Sequence, residues 1–169
     1  AHFGWTRYVL DPVMVATSGD ALLADDAIAV IRDRLLPLAA LVTPNLDEAE
    51  LLLDRTVRDP AAMIAAGHAL IELGAAAALV KGGHLAGDAI TDILVTATGT
   101  RRYDRPRLAT TSTHGTGCTL SAAVTAGLAL GRAIERSVAD GLDYVARAMA
   151  AAPGLGGGHG PLGHGVSAG

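Results

Sequence analysis

The chain has 169 residues, of which 50% are hydrophobic and 18% charged, with a formal net charge of −4 and one cysteine. This length and apolar content suit one folded domain and exclude global disorder, and the acidic balance excludes a broad nucleic-acid-binding surface. One cysteine excludes an internal disulfide or a cysteine-rich zinc cage, and no apolar run reaches the ~18 residues of a membrane span, so the expectation is a cytoplasmic protein with no membrane or nucleic-acid partner.

Aromatic residues are few, one Phe, one Trp and three Tyr, so Ala, Leu, Val and Ile must build the core. In chain order, YVLDPVMV (8–15) predicts a buried strand disturbed by Asp11-Pro12. DDAIAVIRDRLLPL (25–38) spaces Ile28, Ile31, Leu35 and Leu38 near a helical period, with Asp25 or Asp26 at its start and Pro37 near its end. ALVT (40–43) predicts a second strand, and Asn45 opens a short helix, LDEAELLLD. Residues 59–73 begin with Asp-Pro, an N-cap followed by proline at the first helical position, and stop at Gly74.

AAALVKGG (76–83) predicts the next buried strand, and 89–103 alternates around a Thr-Gly-Thr turn at 98–100, as a β-hairpin does. A helix follows THGTG as far as Gly131, and another runs from about 133 to 152. The segment 153–169 holds too much glycine for regular structure. Strands alternating with helices predict an α/β layered fold with a mainly parallel sheet: residues 1–152 form the domain, and 153–169 a Gly-rich tail.

In such sheets ligands sit beyond the carboxyl ends of the strands, and the polar residues gather there: Asp11, then Thr43-Pro44-Asn45, then Lys81-Gly82-Gly83-His84, then Thr113 to Cys118. Gly115 and Gly117 permit a tight turn, and the amides of the helix that follows favour an anion. A Walker loop is absent, and a dinucleotide fingerprint fails at Leu120. The formal G-x-G-x-x-G from Gly158 to Gly163 carries a proline and opens no helix. Cys118 lies in the first turn of a helix, where a thiol becomes a proton acceptor or nucleophile; the alternative is a small buried residue. Asn45 and Glu48 form a capping box or help hold a hydrated Mg²⁺. Asp11 is a turn aspartate or a second ligand of that ion. Lys81 is a solvated strand end or a partner of nucleotide phosphate. A metal site at His159 and His164 is disfavoured in so glycine-rich a segment.

Five segments in order, DPVMVATSGDALL (11–23), LVTPNLDEAELLL (41–53), ALVKGGH (78–84), THGTGCTLSAAVTAGLA (113–129) and GHGPLGH (158–164), closely resemble the hydroxymethylpyrimidine/phosphomethylpyrimidine kinases of thiamine biosynthesis, in the ribokinase-like superfamily. The resemblance implies ATP-dependent phosphorylation of 4-amino-5-hydroxymethyl-2-methylpyrimidine and then of its monophosphate, with ATP and Mg²⁺ required. It implies that Gly115, Thr116 and Gly117 form an anion hole and that Cys118 is the base. Asn45 and Glu48 match a Mg²⁺ and phosphate element. Asp11, Thr43, Lys81 and Thr113 fall at nucleotide, phosphate or metal positions, and Val13 at the pyrimidine.

Thr17 stands where many relatives carry lysine. Relatives also begin well upstream, with strands that carry much of the pyrimidine pocket, so the chain reads as the C-terminal, nucleotide-binding portion of the family domain. Alternatives are a pyridoxine or pyridoxal kinase, which shares the anion hole, or a truncated nucleotide-binding module without activity. A cysteine hydrolase is disfavoured because no third orienting residue follows from the spacing. The oligomeric state is left open by the sequence; relatives are often dimers, so the resemblance allows a homodimer.

Overall fold

The computed structural model describes residues 6–16, 22–83, 85, 87–155 and 158–167. Two compact units divide the chain, residues 1–105 and 106–169. The first holds a five-stranded sheet in the order β1 (Val9–Leu10), β2 (Leu41–Val42), β3 (Ala77–Lys81), β4 (Ala89–Thr96), β5 (Gly99–Pro106). The α/β expectation is met. The sheet is mixed: β1, β2 and β3 pair in parallel, and β4 returns antiparallel to β3. The cause is connectivity. The first three strands are linked by helical crossovers, as parallel neighbours require, whereas residues 82–88 between β3 and β4 are too few for a crossover, so β4 reverses, and β5 follows it through a tight hairpin.

The predicted first strand shrinks to two residues because Pro12 has no N–H for the ladder. The first crossover starts as α1 (Asp25–Val30), passes through a π turn at Ile31–Leu35 and tightens to a 3₁₀ turn at Leu36–Leu38, where Pro37 stops it. Its N-cap is Ala24, with no side-chain hydrogen bond, so neither aspartate is the N-cap; Asp26 lies inside the first turn, where its charge suits the helix dipole.

The second crossover is α2 (Leu46–Leu53) followed by α3 (Pro60–Glu72). Asp59 caps α3 by accepting from the Ala62 amide at 2.8 Å, with Pro60 at the first turn. Leu36, Val42, Leu46, Leu52, Met63, Leu70, Val80 and Val95 form one buried cluster, the dominant favourable term for a unit this poor in aromatics. The hairpin loop is Ala97-Thr98, one residue earlier than predicted, because Gly99 with φ 146° already belongs to β5.

The second unit pairs α4 (Thr116–Ala129) with α5 (Ile134–Ala150). Leu120, Val124 and Leu128 of α4, and Val138, Leu142 and Val145 of α5, are buried. The glycine-rich segment has neither helix nor strand among its described residues, yet it is seated on α5. Gly163 donates to the Ala148 carbonyl at 2.8 Å. Tyr144 donates to the His164 carbonyl at 3.1 Å, Arg147 to that of Ser167 at 2.6 Å, and Leu162 is buried. Among the described residues no helix is long and apolar enough to cross a membrane.

Candidate functional site

In the first unit the carboxyl ends of β1, β2 and β3 bring Asp11, Thr43, Asn45, Glu48 and Lys81 together. Lys81 Nζ lies 3.0 Å from Asp11 Oδ1, and both side chains are largely shielded, at 15% and 12% exposure. The Thr43 hydroxyl donates to the same Asp11 oxygen at 3.0 Å. Main-chain bonds hold the three strand ends in register: the Thr43 amide donates to the Leu10 carbonyl at 2.9 Å, and the Lys81 amide to Pro44 at 2.8 Å. Lys81 is therefore ion-paired, which removes the solvated strand-end reading.

Asn45 and Glu48 form a complete capping box. The Glu48 amide donates to Asn45 Oδ1 at 2.9 Å, and the Asn45 amide to Glu48 Oε2 at 2.7 Å. Glu48 is 3% exposed. Its burial raises the carboxyl above the ordinary carboxylate range; the Lys81 charge and the Asn45 hydrogen bond pull it back, and the Asp11 charge pushes it further up. A carboxylate held beside a second carboxylate in a shielded place suits a cation. The donor set is all oxygen and supplies the one or two carboxylates that Mg²⁺ accepts beside phosphates. These residues therefore fit that ion.

Val13 lies two residues beyond Asp11, is 46% exposed and donates its amide back to the Asp11 carbonyl. His84, along with Thr17 and the rest of 17–21, lies outside the described residues.

In the second unit Gly115 is the N-cap of α4 in the left-handed region, φ 82° and ψ 7°. A side chain there would be strained. Gly117 and Cys118 occupy the second and third helical positions, where amides have no partner inside the helix. Cys118 is exposed, which removes the reading of a small buried residue. It lines a groove of about 740 Å³ with Ala122, Ala126, Tyr144 and His164. Thr113, at the entrance to the loop, has its hydroxyl 3.2 Å from His159 Nδ1, which also lies 3.3 Å from the Thr111 carbonyl. Among the described residues no cluster of three or more His, Cys, Asp or Glu could hold a metal.

The sequence reading passed over Asp92 and Arg105. Asp92 is 2% exposed on β4; it accepts the Gly82 amide at 3.0 Å and pairs with the Arg105 guanidinium of β5. Its signal was an acid within the strand, directly before the apolar Ile93-Leu94-Val95 run of β4. His159 was weighed only as a metal ligand, and its contact with Thr113 spans 46 residues of sequence.

Comparison with known proteins agrees with the order of motifs. The sequence profile of the phosphomethylpyrimidine kinase family matches residues 1–163. A hydroxymethylpyrimidine/phosphomethylpyrimidine kinase of Rhizobium meliloti (strain 1021) is 48% identical over 161 residues, covering 94% of this chain and 60% of that protein. The pyridoxal kinase from Staphylococcus aureus in complex with AMP-PCP superposes with a TM-score of 0.88 at 29% identity, covering 96% of this chain and 59% of that one. The phosphomethylpyrimidine kinase of Clostridium difficile 630 gives 0.73 at 35% identity, with 83% and 56% covered. The chain thus spans less than two thirds of the length of each of these relatives. On the match of its sequence to that profile and to these proteins, it belongs to the phosphomethylpyrimidine kinase family.

Proposed function

We propose that this chain carries the nucleotide-handling part of an ATP-dependent kinase that phosphorylates hydroxymethylpyrimidine and then its monophosphate, in thiamine biosynthesis. The observation that carries the reading is the shielded Asp11–Lys81 pair beside buried Glu48 at the ends of three parallel strands. Lysine and carboxylates so placed serve a polyphosphate and its cation better than they serve stability, because desolvating both charges offsets most of their attraction.

Lys81 exchanges Asp11 for nucleotide phosphate oxygens, and Thr43 keeps the Asp11 carboxylate oriented. Glu48 and Asp11 would hold Mg²⁺, which when bound would neutralise charge on the phosphates. In the second unit, the amides of Gly115, Thr116 and Gly117 and the α4 dipole receive the transferring phosphoryl group. Cys118 accepts the proton of the substrate hydroxyl. The alcohol oxygen then bonds to the γ-phosphorus as its bond to the bridging oxygen of ADP breaks. Thr113 sets the entrance of this loop, and Val13 contributes apolar surface to the pyrimidine.

A second reading, a pyridoxal kinase, is favoured by the TM-score of 0.88 to the S. aureus enzyme. The test is phosphoryl transfer from radiolabelled ATP to each alcohol, using the chain alone and the chain joined to the part of the family domain it does not cover. The pyrimidine alcohol is expected to be the better acceptor by kcat/KM. A preference for pyridoxal selects the second reading, and no transfer in either form contradicts both.

A further inference from the structure

In the antiparallel pairing of β3 with β4, Lys81 stands directly opposite Asp92. Opposed residues share a face of the sheet with Cβ atoms about 5 Å apart, so the Asp92 carboxylate is within reach of the Lys81 ammonium. Asp92 therefore competes with Asp11 for a cation whose charge also acts on Glu48. The structure has Lys81 on Asp11, at 3.0 Å. Both oxygens of Asp92 are already engaged, Oδ1 by the Gly82 amide and Oδ2 by Arg105.

Arg105 reaches this position at a cost, since its Nε is buried with no hydrogen-bond partner among the described residues. The β3–β4 contact is equally fixed: a Cβ at Gly82 would lie 1.9 Å from the Thr91 carbonyl oxygen. The ladder register, Ala77 opposite Thr96 through Lys81 opposite Asp92, keeps the two residues side by side.

We propose that Arg105 is a positioning residue that neutralises Asp92 and so leaves Lys81 at Asp11, where it meets nucleotide phosphate. This rests on the reading of Lys81 as a phosphate ligand. Without the guanidinium, Asp92 recruits the Lys81 ammonium across the strand pair and withdraws it from the strand ends.

The test compares wild type, Arg105→Met, Arg105→Lys and Arg105→Met/Asp92→Asn by crystal structure and by calorimetric titration with Mg²⁺ and a non-hydrolysable ATP analogue. In Arg105→Met the Lys81 ammonium is expected at Asp92, with the analogue bound about tenfold more weakly, the value of one charge-assisted hydrogen bond. Arg105→Lys retains a cation at Asp92 and keeps Lys81 in place. The double variant removes the competing charge, preserves an acceptor for the Gly82 amide and restores both the position and the affinity. Loss of packing alone gives no such restoration.

Should Arg105→Met not fold, Arg105→Gln removes the charge with a polar chain and carries the same expectation. Lys81 remaining on Asp11 in the charge-deleted single variant overturns the proposal, as does failure of the double variant to restore affinity. If wild type binds no analogue, the phosphate reading of Lys81 falls, while the position of the ammonium in the variants still decides the competition.

Discussion

Replacing Glu48 by glutamine separates the structural role of this residue from its functional one. The Asn45 amide donates to Glu48 Oε2 at 2.7 Å, and a glutamine oxygen can still accept that hydrogen bond, without the charge that strengthens it. Burial and the neighbouring Asp11 charge raise the carboxyl above its ordinary value, so its ionised form opposes folding. The folded state holds the proton where the unfolded chain has lost it, and stability declines as pH rises from the unfolded carboxylate range through the raised value.

Glu48→Gln abolishes that decline. Near neutral pH it is expected to be at least as stable as wild type, whereas Glu48→Ala, which leaves the Asn45 amide without its acceptor, loses about 1–2 kcal/mol. Urea unfolding of the three proteins between about pH 4 and pH 8 measures this, and titration with Mg²⁺ and an ATP analogue should show weakened binding for the stable glutamine variant. A wild-type advantage over glutamine that grows with pH would refute the argument, because ionised Glu48 would then be contributing to the fold.

Gly82→Ala forces a Cβ to 1.9 Å from the Thr91 carbonyl oxygen; the strand ends must part, and thermal unfolding is expected to show a loss above about 3 kcal/mol. Gly67→Ala drives a methyl to 2.4 Å from Val95 Cγ2, overpacking worth about 1–3 kcal/mol, and adding Val95→Ala should recover part of it in chemical denaturation. Cys118→Ala should leave the melting temperature and nucleotide affinity near wild type, since the thiol is exposed. In the joined form described above it should lower kcat about 10²–10⁴-fold; unchanged turnover removes the thiol from proton transfer.

What the sequence made legible was local. The Asp59 cap, the Asn45–Glu48 box and the glycine that opens α4 each depend on residues within four positions, so their chemistry appears in a short window. Asp11 and Lys81 were placed at strand ends by the general rule for parallel sheets; that they form one ion pair across 70 residues was not visible without the register. The same holds for Asp92, whose partners Gly82 and Arg105 are set by strand pairing, and for His159, whose neighbour Thr113 comes from another part of the second unit. The hairpin loop was displaced by one residue because several small polar residues at 96–100 support a turn and the glycine dihedral selects among them. Thr17 and His84, outside the described residues, gain nothing from the structure.

In the proposed reaction the amides opening α4, with Cys118 beside them, receive the terminal phosphoryl group of ATP. Amide chemical shifts recorded during titration with Mg²⁺ and a non-hydrolysable ATP analogue test it directly. Saturable changes are expected at Gly115, Thr116, Gly117 and Cys118, larger with the triphosphate analogue than with ADP; resonances there that stay unmoved while others saturate would rule out this site for the phosphoryl group.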